Sequence, residues 1–174
     1  MIAQLVEFLQ KLGGAFLPWT VVDQWQQAVV LRFGKFNRVV GPGLHLMIPL
    51  VDRAMVQSVV TTTTVLRPQS VAVRSGKVFT VEAIIRWSIT DVKAFTLEIW
   101  DGANVIIDSA QGDIANTLRC MDADFVDLER KILEKCRKSL AKYGIRVEAV
   151  TLTTLAPVKV LRLIGVQSVP GEVM

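Results

Sequence analysis

Residues 32–52 read "RFGKFNRVVGPGLHLMIPLVD", and this stretch decides the fold. Gly41 and Gly43 flank Pro42 between two apolar runs, and His45, the one histidine of the chain, follows directly. Glycine and proline in this arrangement favour a turn that returns the chain into a sheet. Two other interpretations must be weighed against the turn: a glycine loop that binds phosphate, and a histidine that binds a metal ion or acts as a catalyst.

A phosphate-binding loop fits the segment poorly. The dinucleotide fingerprint needs a third glycine and a helix directly after it, whereas Pro42 lacks the backbone N–H that would face the phosphate. The pair Gly76-Lys77 likewise lacks the upstream glycine and the following Ser or Thr of a P-loop. We therefore interpret both glycine segments as turns.

The sequence predicts no catalytic residue and no metal site. His45 has no second histidine with which to share a metal ion, and a lone histidine beside apolar residues is usually packed into the fold. Asp122, Asp124 and Asp127 lack the central glycine and distal glutamate of a calcium loop, so we expect them to cap a helix. No nucleophile with a base and no cofactor motif is recognisable. We predict a protein that is not an enzyme and needs no cofactor.

The composition fits one domain, or two small domains that share a core. The chain has 174 residues, 51% of them hydrophobic, and a formal net charge of +4. That charge suits an anionic membrane surface but is not clustered as in nucleic-acid-binding proteins, so we expect no nucleic-acid partner. The longest uncharged runs stay below the ~18 to 20 residues of a membrane-spanning helix. Cys120 and Cys136 form no disulfide framework or zinc spacing, which leaves the compartment open.

The opening segment, residues 1–19, is typical of a helix that lies in a membrane interface. Its apolar residues recur at helical spacing until Gly13 and Gly14 end the helix, and a tryptophan suited to the headgroup level follows. A signal peptide is the competing interpretation, but the basic start and long apolar centre are lacking. The residues expected to contact lipid are Ile2, Leu5, Leu9, Leu12, Phe16, Leu17 and Trp19. We expect peripheral or monotopic attachment to one leaflet.

From residue 21 onward the pattern is that of strands. Five segments rich in Val, Ile and Thr are separated by Gly, Pro, Asp or Asn, namely residues 26–33, 44–50, 54–66, 69–75 and 77–89. No helix between them is long enough to connect parallel neighbours. We therefore predict a largely antiparallel sheet.

Helical patterns follow the strands, at residues 92–98, 103–118 and 125–142. The second pattern places Ile107, Ala110, Ile114 and Leu118 on one stripe, and the third places Phe125, Leu128, Ile132, Cys136 and Leu140 on another. Asp124 would cap the third helix and Gly144 would end it. A closing strand over residues 145–155 completes an α+β plan, in which strands come first and helices later.

These blocks together resemble the SPFH domain, the module shared by stomatins, prohibitins and flotillins. In that domain a strand with an Arg-Phe-Gly core leads through a turn into a Gly-Pro-Gly-Leu-His-like stretch and a strand that ends at proline. The matching residues here are Arg32, Phe33, Gly34, Gly41, Pro42, Gly43, Leu44, His45 and Pro49. Arg86-Trp87 and the Gly-Ile-x-Val start of the closing strand agree with the family too. The likeness runs from about residue 22 to residue 157.

The resemblance implies an SPFH-type domain of two subdomains that acts as a non-enzymatic scaffold. We predict four parts: a membrane-interface anchor (residues 1–19), a mainly β first subdomain (20–97), an α/β second subdomain (98–157) and a tail (158–174). Copies of the chain would assemble into a ring or cage that organises membrane proteins or lipids in a membrane microdomain. Membrane lipid, further copies and a membrane protease or other membrane protein would be the partners. Phe36, Leu44, Leu46 and Met47 would lie near where such a domain meets its membrane.

The chain departs from the family after its closing strand. Most members continue into a long coiled-coil helix that holds the assembly together, whereas seventeen residues follow Pro157 here. The remaining surfaces for oligomerisation would be the sides of the domain and the tail residues Val158, Val160, Leu163, Ile164 and Val166, which could add a strand to a neighbour. An ordinary strand packed on its own domain is the alternative for the tail. The alternative for the whole protein is a soluble oligomeric adaptor or shell component that reuses the fold.

Overall fold

The computed structural model describes residues 19–120 and 127–158, and over these residues the chain is α+β as predicted. Strands come first, three helices follow, and a last strand returns to the sheet. The strands are β1 (Trp19–Val22), β2 (Gln26–Arg32), β3 (Lys35–Val40), β4 (Gly43–Leu46), β5 (Asp52–Ser58), β6 (Thr62–Val65), β7 (Gln69–Ala72), β8 (Val78–Ile89) and β9 (Ile145–Val158). The helices are α1 (Val92–Leu97), α2 (Gly102–Arg119) and α3 (Leu128–Ala141).

The first strands build a small layered unit. An antiparallel sheet in the order β3-β2-β5 forms one layer, and the two-stranded ribbon β1-β4 forms the other. Side chains alternate between the two faces of β2, so Ala28 and Val30 point towards the ribbon while Val29 points to the opposite side. Between the layers these residues pack with Val22, Val40 and Met47.

The second sheet is centred on β8, the 12-residue strand whose alternating burial the sequence predicted. β6 and β7 pair with successive parts of one side of β8, and β9 pairs with the other side along the whole length. One face of this sheet packs against α2 and α3. The largest core lies there, with Val81, Ile85, Ile114 and Ile132 fully buried.

The helices confirm most of the predicted apolar stripes. α3 buries Leu128, Ile132, Cys136 and Leu140, as expected. In α2, however, Ile106 is fully buried and Ile107 is half-buried, because the positions that face the sheet are 106, 110, 114 and 117. Asp127 precedes α3 in a left-handed conformation without a side-chain capping bond, so a capping role for it is wrong. Asp122, Asp124 and Phe125 lie outside the described residues.

Two strands escaped the sequence patterns and one predicted strand is divided. β1 and β3 were not predicted, because β1 has four residues and β3 carries exposed polar side chains on an edge. The predicted strand over residues 54–66 is two strands, β5 and β6, which lie in different sheets. The chain passes from the small unit to the large sheet at residues 59–61.

Candidate membrane-contact surface

The β1-β4 ribbon presents an apolar outer face. Trp19 lies opposite Leu46 and Val21 lies opposite Leu44, and directly opposed residues of antiparallel strands point to the same side. All four side chains are exposed, whereas Val22, on the inner side, is buried. Four large apolar side chains therefore cover one face of a ribbon only four residues long on each strand.

Met47 follows the ribbon but does not share its exposure. It is 8% exposed and packs between the layers with Val22, Val30 and Val40. The prediction that Met47 contacts a membrane is therefore wrong, because the side chain belongs to the core. Its neighbours Leu46 and Ile48 are the exposed residues at this point of the chain.

Two turns at the same end of the small unit each expose an apolar side chain. Phe33 and Gly34 connect β2 to β3 with φ angles of 51° and 76°, the left-handed pair that a two-residue hairpin turn requires. Leu50 has a φ of 67° in the turn before β5. Phe33 is 79% exposed and Leu50 is 97% exposed. The turns are in contact, since the backbone N–H of Phe33 donates to the carbonyl of Val51 at 3.0 Å.

A non-glycine residue with positive φ costs roughly 1–2 kcal/mol, and such strain often accompanies function. The side chains of phenylalanine and leucine form no hydrogen bonds with water, so their combined exposure at strained positions favours a partner that buries them. We call Trp19, Val21, Phe33, Leu44, Leu46, Ile48 and Leu50 the apolar end of the molecule.

An ion pair holds the two turns together. Arg32 donates to Asp52 through Nε at 2.7 Å and through Nη2 at 3.0 Å, and the backbone N–H of Ile48 donates to the same carboxylate at 3.0 Å. The Asp52 side chain has no exposed surface. The hydrogen bond from Arg32, supported by that from Ile48, lowers the pKa of Asp52 from 3.8 to about 2. The turns are thus fixed by a carboxylate that stays ionised at neutral pH.

His45 holds the Gly41–Gly43 turn. Its Nε2 lies 2.7 Å from the carbonyl oxygen of Gly41, and because a carbonyl only accepts, Nε2 carries the proton and donates. Within residues 19–120 and 127–158 no group of three His, Cys, Asp or Glu side chains could hold a metal ion. The interpretation of the opening stretch as a turn between strands is confirmed, since β3 ends at Val40 and β4 begins at Gly43.

The chain segments that form the two turns and β3 are rich in basic residues. Between residues 32 and 53 the chain has four basic side chains, Arg32, Lys35, Arg38 and Arg53, against one acidic side chain, Asp52, which gives a difference of +3. Asp52 is already neutralised by Arg32. Arg38 donates to the carbonyl of Leu46 at 3.0 Å, which places its guanidinium beside the ribbon. At least one cation, Arg38, thus lies beside the apolar face of the ribbon.

The structure locates the predicted lipid-contacting residues as follows. Trp19 and Leu44 lie on the apolar end, whereas Ile2, Leu5, Leu9, Leu12, Phe16 and Leu17 fall outside the described residues. Leu46, which was also expected near the membrane, is exposed there, whereas the sequence patterns did not single out the exposed residues Val21, Phe33, Ile48 and Leu50. Phe33-Gly34 carried a usable signal, since a bulky residue before glycine in a two-residue hairpin is unusual.

Of the predicted tail residues, Val158 ends β9, and Val160, Leu163, Ile164 and Val166 lie beyond the described part.

The described residues thus form a small β unit with an apolar end, joined to an α/β unit. The chain matches the SPFH domain / Band 7 family over residues 20–163 and belongs to that family. Members are generally non-enzymatic, scaffold-like and membrane-associated. In the described part of the chain no helix is long and apolar enough to cross a membrane.

Three archaeal proteins, all uncharacterised, are similar to the chain. A protein of Methanocaldococcus jannaschii is 25% identical over 157 residues, which cover 87% of this chain and 79% of that protein. One of Methanothermobacter thermautotrophicus is 24% identical over 162 residues, covering 90% and 51%, respectively. One of Archaeoglobus fulgidus is 23% identical over 154 residues, covering 85% and 62%. The chain therefore spans less than two thirds of the second and third relatives.

Proposed function

We propose that this protein is a membrane-associated scaffold subunit that contacts one leaflet through its apolar end and organises membrane proteins or lipids as a homo-oligomer. The observation that carries the proposal is the pair of left-handed turns that expose Phe33 and Leu50 beside the apolar face of the ribbon. Residues 1–18, with their predicted lipid-facing side chains, lead directly into Trp19 on that face. Anchor and apolar end would then enter the same leaflet.

Magnitudes support reversible binding by one subunit. If the seven residues of the apolar end each bury half of their side chain in lipid, each contributes roughly 1 kcal/mol and together about 7 kcal/mol, before ordering costs. Basic residues of these segments, such as Arg38, add attraction to anionic headgroups, about 1 kcal/mol for each one that lies close to the surface. For the apolar end without the anchor these sums are comparable with one acyl chain, so attachment through this surface becomes firm only when several subunits share one platform.

Vesicle flotation tests the membrane contact. We expect the wild-type chain to float with vesicles that contain anionic lipid. The double variant Phe33→Asp, Leu50→Asp should partition into the vesicles at least about tenfold more weakly, since two carboxylates replace two apolar side chains that would be buried in lipid. Both side chains are exposed, so the variant should keep its fold. A second variant, Leu5→Asp with Leu9→Asp and Phe16→Asp, tests the predicted anchor in the same assay.

The matched control is Val65→Asp, which replaces an exposed apolar residue on β6, in the large sheet. It should float like the wild type. If Val65→Asp and the Phe33, Leu50 variant lose flotation equally, the effect is general and the apolar end is not the contact. An oligomeric wild-type chain that stays at the bottom of the gradient would instead favour the soluble adaptor or shell component.

The division into subdomains belongs to the same proposal. Because β8 pairs with β9 along its whole length, the end of the first predicted subdomain (20–97) shares a sheet with the second (98–157). The small unit of β1 to β5 would therefore provide the leaflet-facing part and the large sheet with its helices the part directed away from the membrane, with the tail at 158–174 available to neighbouring subunits. A membrane protease or another membrane protein would be the partner that such an assembly surrounds.

A further inference from the structure

The sheets of this protein differ in how their long edges are protected. β3, the outer strand on one side of the small sheet, carries Lys35 and Arg38, and charged side chains discourage strand addition. The outer edge of β9 is occupied by α3: Arg137 donates to the carbonyls of Val147 and Glu148, and the Glu129 carboxylate accepts from the N–H of Leu152. Charged side chains thus protect the edge of β3, and α3 covers the outer edge of β9.

β5 lacks such protection. It pairs with β2 on one side, and no described strand pairs with its other side. The seven-residue sequence DRAMVQS contains no lysine and no proline, and its Asp52 is engaged by Arg32. Its other charged residue, Arg53, lies at the start of the strand, so residues 54–58 carry no charge. A free edge of this length can accept an extended segment through main-chain hydrogen bonds.

An aromatic groove runs beside this edge. Its volume is about 490 Å³, and it is lined by Met55 and Gln57 of β5, Trp87 of β8, Phe95 and Thr96 of α1, and Trp100 before α2. Trp100 is fully exposed. Because tryptophan is enriched among the residues that contribute most to binding at interfaces, an exposed Trp100 beside the groove favours a partner there. The Thr96 hydroxyl is buried and has no hydrogen-bond partner among the described residues. Edge and groove together supply backbone bonding and side-chain pockets, the two requirements of strand-addition sites.

We propose that residues 158–166 of a second copy of the chain bind as an added strand at β5, with side chains in the groove. This inference rests on the proposed assembly into homo-oligomers and names the contact that makes it. In extended conformation Val158, Val160, Ile164 and Val166 share one face with Arg162, while Leu163 points to the other side. The Asp101 carboxylate, at the rim of the groove, has acceptor capacity left for Arg162 beyond its bonds to Asn104.

The register of the large sheet determines which copy supplies the segment. Val158 lies opposite Val78 at the start of β8, whereas the groove contains Trp87, nine positions further along the strand. At ~3.3 Å per residue the two points are roughly 30 Å apart, and β9 runs away from the groove. A segment that continues β9 therefore meets the groove of a neighbour without reversing. Such a head-to-tail contact is heterologous, so repetition gives a ring or an open chain.

Two full-chain variants separate the two halves of the contact. Trp100→Asp removes the groove anchor and leaves residues 158–166 intact, whereas Val160→Asp with Ile164→Asp does the reverse. Light scattering of detergent-solubilised protein gives the particle mass. We expect a wild-type assembly larger than a dimer, and each variant alone should associate at least about tenfold more weakly. Their equimolar mixture should yield a heterodimer and nothing larger, because each heterodimer retains one disabled groove and one disabled tail.

Val65→Asp is again the matched control and should assemble like the wild type. Circular dichroism and the unfolding temperature establish that each variant is folded. Wild-type mass for either variant, or a mixture that contains no heterodimer, overturns the strand-addition site while vesicle flotation of the same proteins leaves the membrane proposal standing. A wild-type chain that is monomeric at every concentration overturns the site and the oligomeric scaffold together.

Discussion

Asp52 is the residue on which the geometry of the apolar end depends most directly. Its carboxylate connects Arg32 at the end of β2 with the backbone of Ile48 in the preceding turn. The Phe33 N–H joins the two turns a second time through Val51. Removal of the charge would therefore loosen the two turns that display Phe33 and Leu50.

We predict a pH dependence that belongs to Asp52. Because its pKa in the folded chain is about 2 and its ordinary value is 3.8, ionised Asp52 stabilises the fold above about pH 4, and this contribution is lost as the pH falls from 4 towards 2. Thermal unfolding of the wild type and of Asp52→Asn should therefore differ most at neutral pH and converge near pH 2. Equal differences at pH 7 and pH 2 would contradict a role for the ionised carboxylate.

Gly144 lies in the turn before β9 and connects that turn with the end of β8 and the start of α1. It follows α3 with a φ of 71°, and its carbonyl accepts from the N–H groups of Thr90 and Asp91 at 2.8 and 3.1 Å. Asp91 in turn caps α1 by accepting from the N–H groups of Lys93 and Ala94. The turn before β9 is thus bonded to the end of β8 and to the start of α1.

We predict that Gly144→Ala lowers the free energy of unfolding by at least about 2 kcal/mol. The left-handed conformation alone costs an alanine roughly 1–2 kcal/mol, and the added Cβ would collide with the backbone of Asp91. Urea unfolding measures the loss. The matched control is Gly112→Ala on the exposed side of α2, where a Cβ meets nothing within 4 Å. That substitution should stabilise the chain by about 0.5–1 kcal/mol.

The same elements show what local sequence could and could not predict. β8 and α3 were predictable because their apolar periods, two and 3.6, extend over at least ten residues. β3 was missed because its exposed polar side chains have no period, and its place is fixed by the hairpin at Phe33-Gly34. Leu46, Ile48 and Leu50 are exposed whereas Met47 between them is buried, and this difference depends on the packing of the ribbon on β2, which is a tertiary property.

At the scale of the whole molecule, the proposed contacts lie in different places. Phe33 and Leu50 are at the turns of the small sheet, whereas Val158 leaves the far end of β9, opposite the start of β8. A head-to-tail series that closes into a ring about an axis perpendicular to the membrane would keep every apolar end available to the same leaflet. Assembly and membrane binding would then reinforce each other, since several weak lipid contacts on one particle must be released together.

The proposed link between assembly and membrane binding predicts a result that a change in the lipid contact of a single subunit cannot produce. Trp100→Asp and the Val160→Asp, Ile164→Asp variant each keep the apolar end, and each alone should bind vesicles as a monomer. Their equimolar mixture should bind at least about tenfold more tightly at the same total protein concentration, because each heterodimer brings two apolar ends to one surface. Flotation over a lipid titration measures the difference. If the mixture binds as the average of its components, each subunit attaches independently, and the proposed link between assembly and firm attachment is wrong.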